Sequence, residues 1–303
     1  MIFDTHCDTL NEINEKNCTL RKNKLNIDLE RMRAYDGYTQ VFAAWIENEK
    51  NAFEKFNTLA GIFDSELDKN SDIAKKCYSF NDMKAAQNEK KIAAFMSLEG
   101  AYFIKSPEDI DYIYKKGVRI ATLTWNPDSA LAGGVDSENG LTPLGHELIP
   151  VFEQKGIIPD VSHLNEKSFW DFSKIAKKPF IASHSCSKAL CSHKRNLTDE
   201  QFLKICESGG CIGVNFYSSF LSDSEKASID TIIEHIKHFK KIGGIDFIGL
   251  GSDFDGVDVL PEGICGVQNM RDIENALEGG GFSSEEIDKI THKNFERVVK
   301  NIL

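Results

Sequence analysis

The chain has 303 residues, 41% of them hydrophobic, enough for one large core. Its 47 acidic residues against 36 basic ones leave a formal net charge of −11. That excludes a nucleic-acid partner, which needs a basic stripe, because every short lysine cluster here has acidic neighbours. No stretch approaches the ~20 apolar residues of a membrane span. Asp4, His6 and Asp8 interrupt the apolar start too soon for a signal peptide. No membrane partner and a cytoplasmic location are therefore expected, and the eight cysteines are read as free thiols.

In chain order, short apolar runs near 2–6, 39–46, 92–98, 119–124, 157–162, 179–183, 211–216 and 247–252 read as buried parallel strands. Between them lie helical patterns. Residues 47–90 are charged and read as one or two long helices after the second strand. Ser106-Pro107-Glu108-Asp109 marks a helix start, as do the capping boxes Thr198–Gln201 and Ser283–Glu286. Gly117, Gly156 and Gly244 sit where helices end before strands. Eight strands in βα order predict one distorted (β/α)₈ TIM barrel spanning 1–303 as a single catalytic domain. An open doubly wound sheet would carry a glycine-rich loop after its first strand, and His6-Cys7-Asp8 stands there instead.

Five of the eight strand-like runs lead into residues of ligand grade: His6 and Asp8, Glu99, His163, His184 and Asp253. In a parallel barrel these carboxyl ends meet at one mouth. His6 and Asp8, two apart, project to one side if the strand continues through them. Imidazole with carboxylate suits a borderline divalent ion such as zinc. His163 and His184 follow consecutive strands and can hold a second ion, with Glu99 between the two. Two ions about 3.5–4 Å apart clamp a hydroxide and polarise a carbonyl, which suits amide hydrolysis.

The ordered set of motifs resembles the membrane dipeptidase (renal dipeptidase) family of binuclear zinc peptidases. Asp4-Thr5-His6-Cys7-Asp8 is similar to its opening DxHxD, Ser97-Leu98-Glu99-Gly100 to its bridging-glutamate segment, and Leu141–Gly145 to its LTPxG. Asp160–His163 and Ser183–Ser185 resemble its histidine motifs. His193–Asn196, Val214–Tyr217 and Gly251–Val257 complete the series. The resemblance implies a barrel of the metallo-dependent hydrolase type holding two Zn²⁺ per chain, other divalent metals being accepted by the same donors. It implies that His6 and Asp8 hold one ion, His163 and His184 the other, and that Glu99 bridges. Asp253 is then the proton carrier, Arg195 grips the substrate's terminal carboxylate, and Tyr217 lines the same pocket. The substrates implied are free dipeptides, including those with a C-terminal D-residue, and a homodimer is left open.

One position departs from the family. Where better-known members read Thr-Leu-Thr-His, this chain reads Thr122-Leu123-Thr124-Trp125-Asn126. An indole N–H donates a hydrogen bond but is never cationic. Trp125 and Asn126 are read as substrate-binding at this place. Two other readings stand beside the dipeptidase. One is a metal-dependent hydrolase of another amide or lactone, and the other is a non-catalytic metal-bearing barrel that binds peptide-like ligands.

Overall fold

The computed structural model describes residues 1–303. Its nine strands, all paired in parallel, are β1 (Ile2–Asp4), β2 (Tyr38–Trp45), β3 (Ala74–Lys76), β4 (Ile92–Glu99), β5 (Val118–Thr122), β6 (Ile158–Asp160), β7 (Ile181–Ser185), β8 (Cys211–Val214) and β9 (Ile248–Leu250). β2 pairs with β4 from Thr39↔Ala93 to Trp45↔Glu99, and β1 pairs with both β2 and β9. The ring β1-β2-β4-β5-β6-β7-β8-β9 therefore closes into the (β/α)₈ barrel.

The expected helical stretch 47–90 needs correction. Helices Ala52–Lys69 and Phe80–Asn88 are present, but the short strand β3 lies between them. It pairs with the first half of β4, while β5 takes the second half. The β4–β5 register shifts between Met96 and Ser97 at the handover, which distorts the barrel. The first strand is also shorter than expected. It stops at Asp4, and Asp8 already precedes the helix Thr9–Lys16, so the His6-Asp8 pair is not on a regular strand.

Period-two alternation builds the barrel interior in layers. Phe3, Val41, Phe95, Ile120, Ile158, Ile181 and Cys211 pack as one apolar cluster, joined from below by Phe295, Val298 and Val299 of the C-terminal helix Asn294–Ile302. Phe3 stacks on Phe295 at 5.7 Å between ring centroids, so that helix plugs the bottom. Two residues further along the strands the interior turns polar. Thr5 Oγ1 donates to the Ser183 and Leu250 carbonyls at 2.6 and 2.9 Å, and Thr122 Oγ1 donates to Asp160 at 2.8 Å. Gly213 and Gly251 leave room there, since a Cβ on either would lie within 2.1 Å of the Ser183 carbonyl oxygen.

The helix starts follow the capping chemistry expected. Ser106, Thr198 and Ser283 each head a reciprocal capping box. The LTPxG segment is also a cap: Thr142 Oγ1 accepts from Gly145 N at 3.0 Å and Pro143 opens the helix Pro143–Lys155. No helix is long and apolar enough to cross a membrane.

Candidate metal centre and cavity

At the carboxyl ends of the strands, His6, Asp8, Glu99, His163, His184 and Asp253 all come together and all are buried. The His6 Nε2 lies 3.2 Å from Glu99 Oε2, 3.5 Å from Asp8 Oδ2 and 3.8 Å from Asp253 Oδ1. The His163 Nε2 lies 2.8 Å from Glu99 Oε1 and 2.9 Å from His184 Nε2. Two triads of ligand atoms fall within 4.8 Å, His6–Glu99–His184 and His6–Asp8–Asp253. Glu99 thus faces the histidine pair with one oxygen and His6 with the other.

The tautomers of the histidine pair follow from what holds them. Asn126 Oδ1 accepts from His163 Nδ1 at 2.9 Å. Ser183 Oγ donates its proton to Asp160 Oδ2 at 2.5 Å, so toward His184 Nδ1, 2.7 Å away, it acts as acceptor. Asp160 is fixed in turn by the backbone N–H groups of Ser162 and Ser183. With both Nδ1 atoms protonated, both Nε2 atoms carry bare lone pairs, and they point at each other and at a carboxylate. Burial, with the Arg195 charge adding, pushes His163 down to about 4, and burial pushes His184 well below its ordinary value. Neither ring supplies the missing proton near neutrality. Such a convergence of acceptors suits a cation.

The other half carries surplus negative charge. Burial and the nearby Glu99 raise Asp8 to about 7, and burial raises Asp253. Burial opposes a charged His6, but Glu99 and Asp8 outweigh it and hold that ring well above its ordinary value. His6 Nε2, Asp8 Oδ1 and Glu99 Oε2 are buried without a hydrogen-bond partner. These residues therefore fit divalent metal on both sides of Glu99.

Backbone strain surrounds the centre. His163, Asp253 and Asp255 hold φ of +71°, +59° and +68°, a region that costs non-glycine residues energy and clusters at functional sites. Asp255 accepts from Thr9 Oγ1 at 2.7 Å and from Asn26 N at 2.6 Å, so it clamps the loop after β9. Gly256 lies close beneath the carboxylates, and a Cβ there would be 2.2 Å from Asp8 Oδ2 and 2.6 Å from Asp253 Oδ1. Asp4 does not reach the ligand rings. It takes Ser252 N and Oγ at 2.9 and 2.6 Å and so ties β1 to the loop after β9. Cys7 is buried in the main hydrophobic core.

Above the centre opens a cavity of about 650 Å³. Trp45 and Trp125 line one part, and Arg195, Tyr217 and Phe220 line another. Arg195 is buried, its Nε and Nη2 have no partner, and burial pushes its pKa down to about 10, so it stays cationic at neutral pH. Its loop is held by Arg195 N donating to His193 Nδ1 at 3.2 Å and by Asn196 Nδ2 donating to the Phe220 carbonyl at 2.7 Å. His235 and His238 serve packing: the first is buried against Ser187 N and the Leu221 carbonyl, and the second meets Asp199.

Three positioning residues escaped the sequence reading in their actual roles. Asn126 lines the cavity, but its amide oxygen engages His163. Ser183 orients His184. Asn215 Nδ2 donates to Asp253 Oδ2 at 2.8 Å, while Asn215 Oδ1 accepts from Tyr217 N at 2.6 Å.

A closed parallel barrel whose strand ends gather imidazoles and carboxylates defines a metal-dependent hydrolase. The chain matches the model of the membrane dipeptidase family, peptidase family M19, over residues 1–303, and it belongs to that family of metallodipeptidases. An uncharacterised protein from the pqqA 5′ region of Klebsiella pneumoniae is 37% identical over 239 residues, 75% of this chain and 88% of the relative. A dipeptidase of metallopeptidase family M19 superposes with TM-score 0.92 at 25% identity, covering 99% of this chain and 98% of that one. A metallopeptidase of Rhodobacter sphaeroides, solved with a phosphinate mimic of the dipeptide L-Ala-D-Ala, has the same fold at TM-score 0.92 and 24% identity, covering 100% and 99%.

Proposed function

We propose that this chain is a zinc-dependent dipeptidase that hydrolyses the peptide bond of free dipeptides, including those with a C-terminal D-residue. One observation carries the reading: the Nε2 atoms of His163 and His184 converge at 2.9 Å beside Glu99, with both Nδ1 positions already engaged. In this reading His163 and His184 hold one ion, His6 and Asp8 hold the other, and Glu99 bridges. Bound divalent ions would supply an activated water and polarise the scissile carbonyl. Zinc is the preferred ion for mixed imidazole and carboxylate donors, and manganese or cobalt are substitutes.

The chain's own residues do the rest. Asp253, steadied at Oδ2 by Asn215, takes a proton from the attacking water at Oδ1 and delivers it to the departing amine. Arg195 grips the substrate's C-terminal carboxylate through the donors that lack partners, and Tyr217 closes the same side. Trp125 cannot be cationic as a histidine at its position could, so polarisation of the carbonyl would be supplied by the bound ions. The D-residue is supported by the mimic bound to the Rhodobacter relative. The proposal takes residues 1–303 as one catalytic unit in the cytoplasm, where its eight unpaired cysteines stay reduced.

The experiment is turnover of a panel of L,L and L,D dipeptides by zinc-loaded protein, with N-acetylated copies as controls. Cleavage confined to the free dipeptides supports the reading. Cleavage of lactams or lactones but no dipeptide would replace it with another hydrolase on the same centre, and tight binding without turnover would replace it with a ligand-binding barrel.

A further inference from the structure

The order of strands around the ring separates two walls of the cavity. Trp45 ends β2 and Trp125 follows β5, so the two flank β4. Across the ring from β4 stands β8, which leads to Tyr217, and across from β2 stands β7, which leads to the Arg195 loop. A substrate whose carboxylate lies on Arg195 therefore extends its other end over the metal ligands toward the tryptophans.

That wall is built and held. Trp45 and Trp125 meet edge to face, with centroids 5.2 Å apart at 68°, and Trp125 lies 6.0 Å from the ring of His163. Asn11 fixes Trp45 from both sides: its Nδ2 donates to the Trp45 carbonyl at 3.0 Å and its Oδ1 accepts from Trp45 N at 3.2 Å. The Tyr102 hydroxyl accepts from Trp125 N at 3.2 Å and donates to the Pro127 carbonyl at 3.0 Å. The Lys55 ammonium sits 4.3 Å from the Trp45 ring centroid, so a cationic side chain brought to this wall meets like charge.

We infer that Trp45 and Trp125 form the subsite for the side chain of the substrate's N-terminal residue, and that this subsite selects a large neutral apolar or aromatic group. Two indoles packed edge to face on an anchored backbone offer apolar area with little ordering cost, and Trp125 lies beside the ring of His163. Glu12 and Glu15 also line the cavity, on the helix after β1, and they are the feature that would instead attract a basic side chain. Glu12 is already paired with Lys16, and the Lys55 ammonium beside Trp45 opposes a cation at the wall itself, which leaves the aromatic wall as the stronger selector.

This inference rests on the dipeptidase reading, and the experiment separates the two. The kcat/KM of zinc-loaded protein is measured for Phe-Ala, Leu-Ala, Ala-Ala, Lys-Ala and Ala-Phe. Phe-Ala and Leu-Ala are expected to exceed Ala-Ala and Lys-Ala by about tenfold or more, chiefly through KM. Trp45→Ala and Trp125→Ala are expected to lower the Phe-Ala to Ala-Ala ratio about fivefold or more, whereas Trp45→Phe keeps an aromatic wall and most of the ratio. A ratio unmoved by the alanine variants would overturn the inference, as would preference for Lys-Ala or for Ala-Phe over Phe-Ala. If the alanine variants fail to fold, the wild-type panel and Trp45→Phe still decide it. Cleavage of dipeptides without the preference defeats the subsite alone. No cleavage of any dipeptide defeats the dipeptidase reading and the subsite together.

Discussion

His163 and His184 face each other through unprotonated Nε2 atoms 2.9 Å apart, because Asn126 and Ser183 hold the proton of each ring on Nδ1. The pair is therefore poised before any ion arrives, and the poise depends on two neutral side chains outside the ligand set. Asn126→Leu removes the acceptor and lets the proton of His163 move to Nε2. Zinc affinity, measured by chelator competition, is expected to fall roughly 10- to 100-fold. Asn126→Asp keeps an acceptor and is expected to retain most of it. Equal losses in both variants would show that the amide oxygen is not what matters.

The Asn215 to Asp253 bond gives a pH signature. Burial already raises the Asp253 carboxyl, and the Asn215 N–H opposes that by favouring the ionised form. Asn215→Leu removes the opposition, so the carboxyl rises further. Asp253 must be ionised to accept a proton, hence the acidic limb of kcat/KM moves to higher pH by about one unit. An unshifted limb with a lowered plateau would assign Asn215 to loop structure alone.

Gly256 tests how tightly the carboxylates are placed. An added methyl would lie well inside contact distance of both Asp8 and Asp253. Those side chains can swing aside, but not while holding ligand geometry. Gly256→Ala is expected to lose about a hundredfold or more in activity with a change in Tm of only a few degrees. Full activity would mean that the loop after β9 yields freely, against the clamp formed by Asp255.

Arg195 and Asp253 should separate in kinetics. Arg195→Ala is expected to raise KM for substrates with a free carboxylate by about tenfold or more, and Arg195→Lys should not restore it, since an ammonium lacks the planar fork. Asp253→Ala is expected to remove turnover with little effect on substrate binding. Untouched kinetics in both would overturn the roles given to them.

Much of this architecture is legible in the sequence because buried parallel strands must be apolar and their ends must carry the polar work. Phe95, Ser97 and Glu99 on one strand spell the change from plug to polar layer to ligand. The strand β3 was not legible. Its sequence Ala74-Lys75-Lys76 looks like surface helix, and only its ladder with the first half of β4 makes it a strand. The His6-Asp8 pair was found for an incomplete reason, since β1 stops at Asp4 and the two side chains converge through the bend into the following helix. Asn126, Ser183 and Asn215 carry no mark of their roles in sequence. Neutral amides and hydroxyls are common everywhere: Asn126 and Asn215 orient His163 and Asp253, 37 and 38 residues away, and Ser183 orients the adjacent His184 only because Asp160, 23 residues away, takes its proton.

The central claim is that the clustered imidazoles and carboxylates form a two-ion centre that cleaves dipeptides. The most direct measurement is turnover of Ala-Ala, in its L,L and L,D forms, as zinc is titrated into metal-free protein. The account predicts no activity at the start and a rise that levels off at two ions per chain. Undiminished cleavage by metal-free protein in excess chelator would contradict it, and so would a fully loaded centre that cleaves neither dipeptide.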